Sequence, residues 1–453
     1  MKKPTSIVIQ LAAGAFFFTW SLQPAHSAIS KRTLTRTEDF IVLTGRDVKT
    51  LAGAETADLR LYSCGKDVCS PVPVQIDKVD STGRYVFPQD TNPGRDGAVL
   101  DDNDEISFMA SDAGDRIPAN WRPDGAARGV QIELRDPLDN GTAWLYLFDQ
   151  PGAPVPDLAD YVDYVFDGEN VLLKSSQFVM GSKKERYGYD IIRMLNQSGE
   201  FGPDLLDRQR VGIEAKMAGE VSLSLSVPEG IIKPSHVGVI DGPVRVIVDE
   251  VVLVHVGDLS LKWGAENFNK YYRCGQNNSV NFSFPLGVDE LFKSILFYWG
   301  LDFTPDIIGS YYLDPNQTAP LPIGNQARKE TPDDASHFWW GLYGKQGAVL
   351  QALKFDDYMV PYFTCDGRWR QNPEARIKKG DYPGRLEIGF GCHEIGSCPS
   401  ARTTTGSTTS CFPKTRRRRG SKRSGTSSST RWKSRSRTCP EFRKQTYAGR
   451  IIP

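Results

Sequence analysis

The feature that most constrains the fold of this chain is a succession of short apolar or alternating runs separated by Gly, Pro, Asn or Asp. Examples are FIVLTG, VPVQID, EISFMAS, AWLYLFD and VSLSLSV. Such runs, at this spacing, are typical of antiparallel sheets. Three segments also fit short helices: DLADYVDYVF, PDLLDRQRV and VDELFKSILFYW, although FKSILFYWGLDF also fits a buried strand. The sequence therefore predicts a mainly β protein of antiparallel β-sandwich architecture with few short helices.

A domain boundary is predicted where DQPGAPVPDLAD follows a strand, because three prolines are concentrated there. We expect an N-terminal β domain over residues 30–150 and a larger β-sandwich domain over residues 160–390. The first holds a cysteine hairpin and an acidic stretch, and the second holds most of the aromatic motifs.

The first residues predict export. Two lysines precede an apolar stretch from Ile7 to Leu22, and Ala25-His26-Ser27 fits a cleavage site with small residues. This order is typical of a secretory signal peptide over residues 1–27. The alternative, a membrane anchor, needs roughly 20 apolar residues, and Gln10 together with the polar residues near Pro24 leaves this stretch short. We expect a secreted protein of the periplasm or extracellular space without a membrane span.

Charge is divided unevenly along the chain. Lys plus Arg and Asp plus Glu both number 55 overall. Residues 391–453 contain 15 basic and 2 acidic residues, which leaves 40 basic and 53 acidic residues in 1–390. The acidic body argues against nucleic acid as a partner, since phosphate binding needs a basic face.

Two interpretations of residues 391–453 stay open. The first is a disordered, basic, low-complexity tail, because this segment is rich in Ser, Thr and Arg. The second is a frameshift near Gly391, because codons compatible with Thr403, Thr404, Thr405 and Gly406 can encode Tyr-Tyr-Tyr-Trp in a shifted frame. The gene decides between them: early stop codons in the shifted frame would exclude the frameshift.

Four cysteines precede this tail. In an exported chain an even number of cysteines predicts disulfides. CGKDVC, bracketed by LRLYS and SPVPVQI, predicts a Cys64–Cys69 bridge across a tight hairpin. A metal or redox site of the CxxC type is the alternative, but the two-residue spacing and a nearby His are missing. The remaining pair would be Cys274–Cys365.

The segment DGAVLDDNDEISFMASDAGDR contains seven carboxylates. Asp101, Asn103 and Glu105 alternate as the oxygen ligands of a calcium loop do, yet Ile106 stands where such a loop has Gly. The alternatives are a turn that leads into the strand EISFMAS, a Ca²⁺ site built on that turn, and a catalytic carboxylate pair. The turn is the preferred interpretation, with no cofactor.

The aromatic segment HFWWGLYG is a candidate carbohydrate-binding platform formed by His337, Trp339, Trp340 and Tyr343, since exposed aromatic faces stack on sugar rings. In the alternative interpretation, neighbouring tryptophans on a strand point to opposite faces, one inward and one outward. His236 could act as a base, while His255 has apolar neighbours that favour a structural role. HExxH, GxSxG, P-loop and Rossmann motifs are absent from the sequence.

Three motifs carry a resemblance to a family. VPVQIDKVDSTGRYVF, LDDNDEISFMASDAGDR and the later GPVRVIVDE resemble uncharacterised exported bacterial proteins with polysaccharide-lyase-like β-sandwich domains. The resemblance implies carbohydrate handling in the cell envelope. Lyases of that type use a Tyr or His base and an Arg or Lys neutraliser, but the spacing of Tyr271, Tyr272, His236 and Arg245 pairs none of them here, so no catalytic residue is transferred.

Two functions are therefore expected. The first is an exported β-sandwich protein that binds envelope or extracellular material, such as a glycan, without chemistry of its own. The alternative is a carbohydrate-active enzyme, a polysaccharide lyase or a glycoside hydrolase. A Tyr or His within hydrogen-bond reach of Arg or Lys in a cleft would favour the enzyme, and a flat sheet face with exposed Trp and Tyr would favour binding. The sequence indicates no particular oligomeric state.

Overall fold

The protein is built from antiparallel sheets, which confirms the predicted fold class. The computed structural model describes residues 30–65, 68–90, 98–118, 120–183, 188–217, 222–227, 232–256, 259–283, 292–315, 317, 319–326, 339–355, 364–372, 384–393 and 403–411. Within these ranges the helical segments are short 3-10 turns: Gly45–Leu51, Thr56–Asp58, Ala110–Asp112 and Pro305–Ile307. None of the described helices is long and apolar enough to cross a membrane.

Two sheets from the first part of the chain share one core. The three-stranded sheet has the order β1 (Phe40–Thr44), β5 (Glu105–Met109) and β4 (Gln75–Asp77). The four-stranded sheet has the order β3 (Val68–Val72), β2 (Leu59–Gly65), β7 (Thr142–Asp149) and β6 (Arg128–Arg135). Ile41, Ile106 and Phe108 from the first sheet pack with Leu61 and Leu145 from the second.

Three further sheets share a second core. The four-stranded sheet has the order β11 (Ile191–Met194), β10 (Phe178–Lys183), β9 (Asn170–Ser175) and β8 (Val162–Phe166). The five-stranded sheet has the order β13 (Ser222–Val227), β12 (Leu206–Met217), β18 (Phe292–Phe303), β24 (Arg385–His393) and β23 (Thr364–Asn372). Phe178, Phe390 and Trp340 contribute to this core from the three sheets.

The nine-stranded sheet contains most of the aromatic and charged residues of the candidate sites. Its order is β14 (Ile232–Asp241), β15 (Arg245–Val256), β16 (Leu259–Tyr272), β17 (Gly275–Ser283), β25 (Thr403–Cys411), β22 (Gly347–Phe355), β21 (Trp339–Gly344), β19 (Tyr311–Leu313) and β20 (Leu321–Pro322). Each strand is antiparallel to its neighbours.

The three segments that also fit helices form strands instead. Their described parts contain β8, the start of β12 and the first eight residues of β18. Every residue of β18 from Tyr298 to Phe303 is buried, so this part of the strand is covered on both faces. The uninterrupted apolar run ILFYW hides the period of two, which is why FKSILFYW resembles a helix in sequence.

The predicted Cys64–Cys69 disulfide is confirmed. The two residues are direct partners in the β2–β3 hairpin and are bridged. The predicted Cys274–Cys365 pairing is wrong, because Cys365 is bridged to Cys392. Cys365 and Cys392 are opposite each other in neighbouring strands β23 and β24, whereas Cys274 lies between β16 and β17 of another sheet and donates its thiol proton to Glu38 O.

The structure places parts of the predicted tail in sheets. Gly391, Cys392 and His393 end β24, and β25 lies between β17 and β22 in the nine-stranded sheet. Residues 412–453 lie outside the described residues, as does the predicted signal peptide. The proposed domain boundary falls in a stretch without a named strand, between Asp149 and Val162.

Candidate functional site

Strand β21 presents aromatic side chains alternately to the core and to the surface. Trp340 and Leu342 are buried, whereas Trp339, Gly341 and Tyr343 are partly exposed. This alternation follows from the pleat, which turns successive side chains to opposite faces. The alternative interpretation of the WW pair, one tryptophan inside and one outside, is therefore confirmed.

The prediction that Trp340 belongs to a binding platform has to be corrected. Its side chain is 0% exposed, its Nε1 donates to Gln351 Oε1 at 3.1 Å, and its ring meets Phe303 edge-on. A ring enclosed on all sides cannot stack on a ligand. His337, the fourth member of the predicted platform, lies outside the described residues.

Tyr311 completes the surface and was missed by the sequence analysis. It pairs with Tyr343 across β19 and β21, its side chain is 43% exposed, and the two ring centroids lie 5.6 Å apart at an interplanar angle of 23°. Burial and the neighbouring Tyr311 raise the pKa of Tyr343, so the Tyr343 phenol stays a neutral donor at physiological pH. We call Tyr311, Trp339, Gly341 and Tyr343 the aromatic face.

Gly341 separates the two aromatic positions of β21. Trp339 and Tyr343 are four residues apart, which on an extended strand spans roughly 14 Å. A Cβ at Gly341 would meet its nearest neighbour, Leu350 Cδ1, at 3.6 Å, which is ordinary contact. The glycine is therefore not required by packing, and its missing side chain leaves a flat floor between the rings.

The acidic stretch forms a turn that is closed by its own hydrogen bonds. Asp101 Oδ1 accepts from Asn103 N, and Asp104 Oδ2 accepts from Asp101 N, both at 2.9 Å. Lys78 Nζ lies 2.6 Å from Asp104 Oδ2 and 3.2 Å from Asp101 Oδ2. Lys78 therefore supplies the positive charge that a cation would otherwise bring to this turn.

The three predicted metal ligands do not meet in the structure. Asp101 faces Lys78, whereas Glu105 points to Arg245 in β15. Within the described residues, no group of three or more His, Cys, Asp or Glu side chains could hold a metal ion. A Ca²⁺ site at Asp101, Asn103 and Glu105 stays a prediction from the sequence.

Glu105 belongs instead to a second feature, which we call the Arg245 cluster. Its members come from VPVQIDKVDSTGRYVF, LDDNDEISFMASDAGDR, GPVRVIVDE and β16: Asp77, Tyr85, Glu105, Arg245, Lys270 and Tyr272. The cluster joins the three-stranded sheet to the nine-stranded sheet.

Arg245 lies at the centre of this cluster and is 0% exposed. Its Nε and Nη2 donate to Asp77 Oδ2 at 2.9 and 2.6 Å, and Nη2 also donates to Glu105 Oε2 at 2.6 Å. A planar guanidinium that contacts two carboxylates is held in one orientation. Burial disfavours the charged guanidinium and lowers its pKa. The neighbouring charges, that of Asp77 above all, prevail and hold the pKa of Arg245 above its usual value.

Glu105 is held in its ionised form. Burial opposes this charge, but Arg245, Lys270 and the Tyr85 hydroxyl, which donates to Glu105 Oε2 at 2.6 Å, lower the pKa of Glu105 to about 2. The side chain of Glu105 is 24% exposed, so the cluster reaches the surface at this residue.

The cluster also contains the contact between a tyrosine and an arginine that the enzyme hypothesis requires. Arg245 Nη1 donates to Tyr272 OH at 3.2 Å, and the Tyr272 ring stacks on Phe40 at 3.6 Å. Burial raises the pKa of Tyr272 to about 12, against the opposing effect of Arg245. Both Tyr272 and Arg245 are enclosed, so this pair does not line an open cleft.

Gln75 holds the motif VPVQID against the distant motif GPVRVIVDE. Its Oε1 accepts from Val244 N and Arg245 N at 3.1 and 2.9 Å, and its Nε2 donates to Asp77 Oδ1 at 2.8 Å. A Cβ at Gly242 would lie 2.4 Å from Gln75 Cδ. The glycine before Pro-Val-Arg is thus required by this close approach.

The histidines considered in the sequence lie elsewhere. His236 is opposite Glu250 in the β14–β15 register, and His255 lies near the end of β15. Tyr271 points to the face opposite Tyr272, and its hydroxyl lies 2.7 Å from that of Tyr189.

Comparisons with known proteins give little further information. No family model matches the chain, and no curated protein matches it. Among solved structures, the chain described as "Crystal Structure Analysis of HI1317" is 9% identical, with a TM-score of 0.27, and the match covers 55% of this chain and 98% of that chain. A similarity at this level carries no argument about function.

Proposed function

We propose that this protein is an exported β-sandwich protein that binds a polysaccharide of the cell envelope or the extracellular space through the aromatic face. The observation that carries the proposal is the exposed, register-matched pair Tyr311 and Tyr343 beside Trp339, with Gly341 as an open floor. Exposed aromatic rings on a flat strand offer apolar faces to sugar C–H groups and phenol hydroxyls to sugar oxygens.

Export of the protein is part of the proposal. Two disulfides, Cys64–Cys69 and Cys365–Cys392, fit an oxidising compartment. The predicted signal peptide at residues 1–27 supports the same localisation, in the periplasm or outside the cell.

A glycan array followed by affinity electrophoresis in polysaccharide gels tests the proposal. Trp339→Ala and Tyr343→Ala should each weaken binding of the best glycan by about 1 kcal/mol or more, which is at least about fivefold. Gly341→Val should also weaken binding, because its side chain covers the floor; its Cβ meets no atom closer than Leu350 Cδ1 at 3.6 Å. Phe166→Ala removes an exposed aromatic ring from β8 and is the matched control.

The proposal would be refuted by a bound glycan whose affinity is unchanged in Trp339→Ala, Tyr343→Ala and Gly341→Val. Circular dichroism of each variant separates loss of binding from loss of fold.

A carbohydrate-active enzyme, a polysaccharide lyase or a glycoside hydrolase, is the second candidate function. The 3.2 Å contact between Arg245 and Tyr272 supports it, and the enclosure of both residues weighs against it. Polysaccharide panels assayed for unsaturated products and for reducing ends test this candidate. Activity that is lost in Tyr272→Phe, while the fold is retained, would favour the enzyme over the binding protein.

A further inference from the structure

One row of residues in the nine-stranded sheet runs from the aromatic face to the Arg245 cluster. Trp339 in β21 pairs with Ala352 in β22, and Asn277 in β17 pairs with Lys270 in β16. Thr409 of β25 is the register partner of both Ala352 and Asn277. The five residues therefore lie side by side across five neighbouring strands.

This row is on the outer face of the sheet. Direct cross-strand partners share one face, and successive residues of a strand alternate between the two faces. The adjacent row contains Gln276, Gln351 and Trp340, which are 5%, 4% and 0% exposed and point to the core. Asn277 and Trp339 are partly exposed, so they point away from the core on the same side of the sheet.

The N-terminal part of the chain bounds this row at β16. Lys270 Nζ lies 5.0 Å from the centre of the Tyr85 ring, and Phe40 stacks on Tyr272, the β16 residue that pairs with Gly275 at the start of β17. We call Phe40 and Tyr85 the wall. The strands next to it, β17, β25, β22 and β21, form a floor. Three strand spacings of roughly 4.8 Å separate β17 from β21, so the floor is roughly 14 Å wide.

The two ends of the floor offer complementary contacts for a sugar chain. Trp339 supplies an aromatic ring that stacks on sugar C–H groups. The Asn277 amide has two N–H donors and an oxygen acceptor for sugar hydroxyls, and Ser279 Oγ, 3.3 Å from Asn277 Oδ1, helps to orient it. Ala352 has a small side chain and leaves the path between them low. These side chains are uncharged, and the acidic excess of residues 1–390 repels polyanions.

We propose that the protein binds one extended, uncharged polysaccharide chain along this row, from the Trp339 ring to the Asn277 amide. This inference rests on the proposed glycan binding at the aromatic face and specifies its ligand. The floor is wider than one sugar ring, so full affinity requires a chain of several sugars. The wall at β16 ends the contact, so sugars beyond Asn277 add nothing.

The dependence of affinity on chain length tests the proposal. Cello-, xylo- and chito-oligosaccharides, each from the disaccharide to the hexasaccharide, are titrated into the full-length protein by calorimetry. In at least one series, affinity should rise with length and then level off. Asn277→Ala should weaken binding of the longest oligosaccharide about fivefold, the effect of one hydrogen bond, and should leave the affinity for the disaccharide unchanged. Trp339→Ala should weaken binding at every length.

The matched control is Asn372→Ala, which removes an exposed amide from the end of β23 in the five-stranded sheet and should bind as the wild type does. An affinity that does not depend on length, or an Asn277→Ala effect that is absent or equal at every length, would overturn this inference while glycan binding at Trp339 stands. Glycan binding that is unchanged in Trp339→Ala would instead refute the aromatic face itself.

Two further measurements examine other occupants of the floor. Oligogalacturonides, an acidic series, should bind more weakly than the best uncharged series, and tighter binding would overturn the proposal. So would the absence of binding by all three uncharged series. Sedimentation velocity compares wild type with Trp339→Ala: a dimer that dissociates in the variant would assign this surface to a second copy of the chain and would also overturn the proposal.

Discussion

Arg245 and Glu105 are separated by 140 residues in sequence and are joined by a 2.6 Å hydrogen-bonded ion pair. With Asp77, they connect β4 and β5 of the three-stranded sheet to β15, the second strand from one edge of the nine-stranded sheet. The short motifs QID, DEISF and GPVR therefore encode one buried contact rather than three separate sites.

Removing Arg245 should destabilise the protein strongly. Arg245→Met leaves Asp77 and Glu105 without their common partner, and an uncompensated buried charge costs about 3–5 kcal/mol. Lys31→Met, which breaks an ion pair between the well-exposed Lys31 and Asp115, should cost less than about 1 kcal/mol. Urea denaturation of both variants measures the difference, and equal costs would contradict the assigned role of Arg245.

Glu105 should make the fold sensitive to acid. Its pKa is about 2 in the folded protein and 4.5 in the reference state, so its ionised form stabilises the fold above about pH 4.5. This contribution is lost as the pH falls from about 4.5 towards 2. Comparison of wild type with Glu105→Gln over this range should show a smaller loss of stability in the variant. Parallel curves for the two proteins would refute the assignment.

Glu250 should have the opposite effect at higher pH. Burial raises its pKa to about 7, although Asn269 Nδ2 donates to Glu250 Oε2 at 3.1 Å. Because the folded protein holds this proton more tightly than the unfolded chain, the contribution is present below about pH 4.5 and is lost as the pH rises to about 7. At most about 3 kcal/mol is involved. Glu250→Gln should flatten the stability curve between these values, and an unchanged slope would contradict the prediction.

The two disulfides should differ in their effect on stability. The Cys365–Cys392 bridge closes a separation of 27 residues and the Cys64–Cys69 bridge a separation of 5. The chain-entropy model gives about 3.5 kcal/mol for the longer loop and about 2 kcal/mol for the shorter one. Thermal unfolding of the Cys365→Ser/Cys392→Ser and Cys64→Ser/Cys69→Ser double variants tests the order. Peptide mapping of the wild-type protein that recovers Cys274 bridged to Cys365 would contradict the structure.

Local patterns in the sequence were sufficient for the strands and the hairpin disulfide. The period of two in EISFMAS and the turn residues around CGKDVC act over a few residues, so they can be interpreted without the rest of the chain. β18 was ambiguous because its uninterrupted apolar run ILFYW hides that period. The Cys365–Cys392 bridge was missed because strand neighbours in a sheet are set by long-range pairing.

The candidate sites also depend on long-range contacts that local sequence patterns do not reveal. WWGLYG predicts one inward and one outward tryptophan, but no local signal links Tyr343 to Tyr311, which precedes it on a different strand. The residues of QID, DEISF and GPVR were noticed as motifs, yet their contact depends on the approach of two sheets. The carboxylates in DDNDE were interpreted first as a turn, and no local signal indicated that Asp104 contacts Lys78 and that Glu105 contacts Arg245.

The most direct test of the proposed function is ¹⁹F NMR of the protein labelled with 5-fluorotryptophan, titrated with the glycan selected on the array. The Trp339 resonance, assigned with Trp339→Phe, should shift in a saturable manner, while the resonance of the enclosed Trp340 changes little. Saturable glycan binding that leaves the Trp339 resonance in place would contradict the proposal that the aromatic face is the binding site.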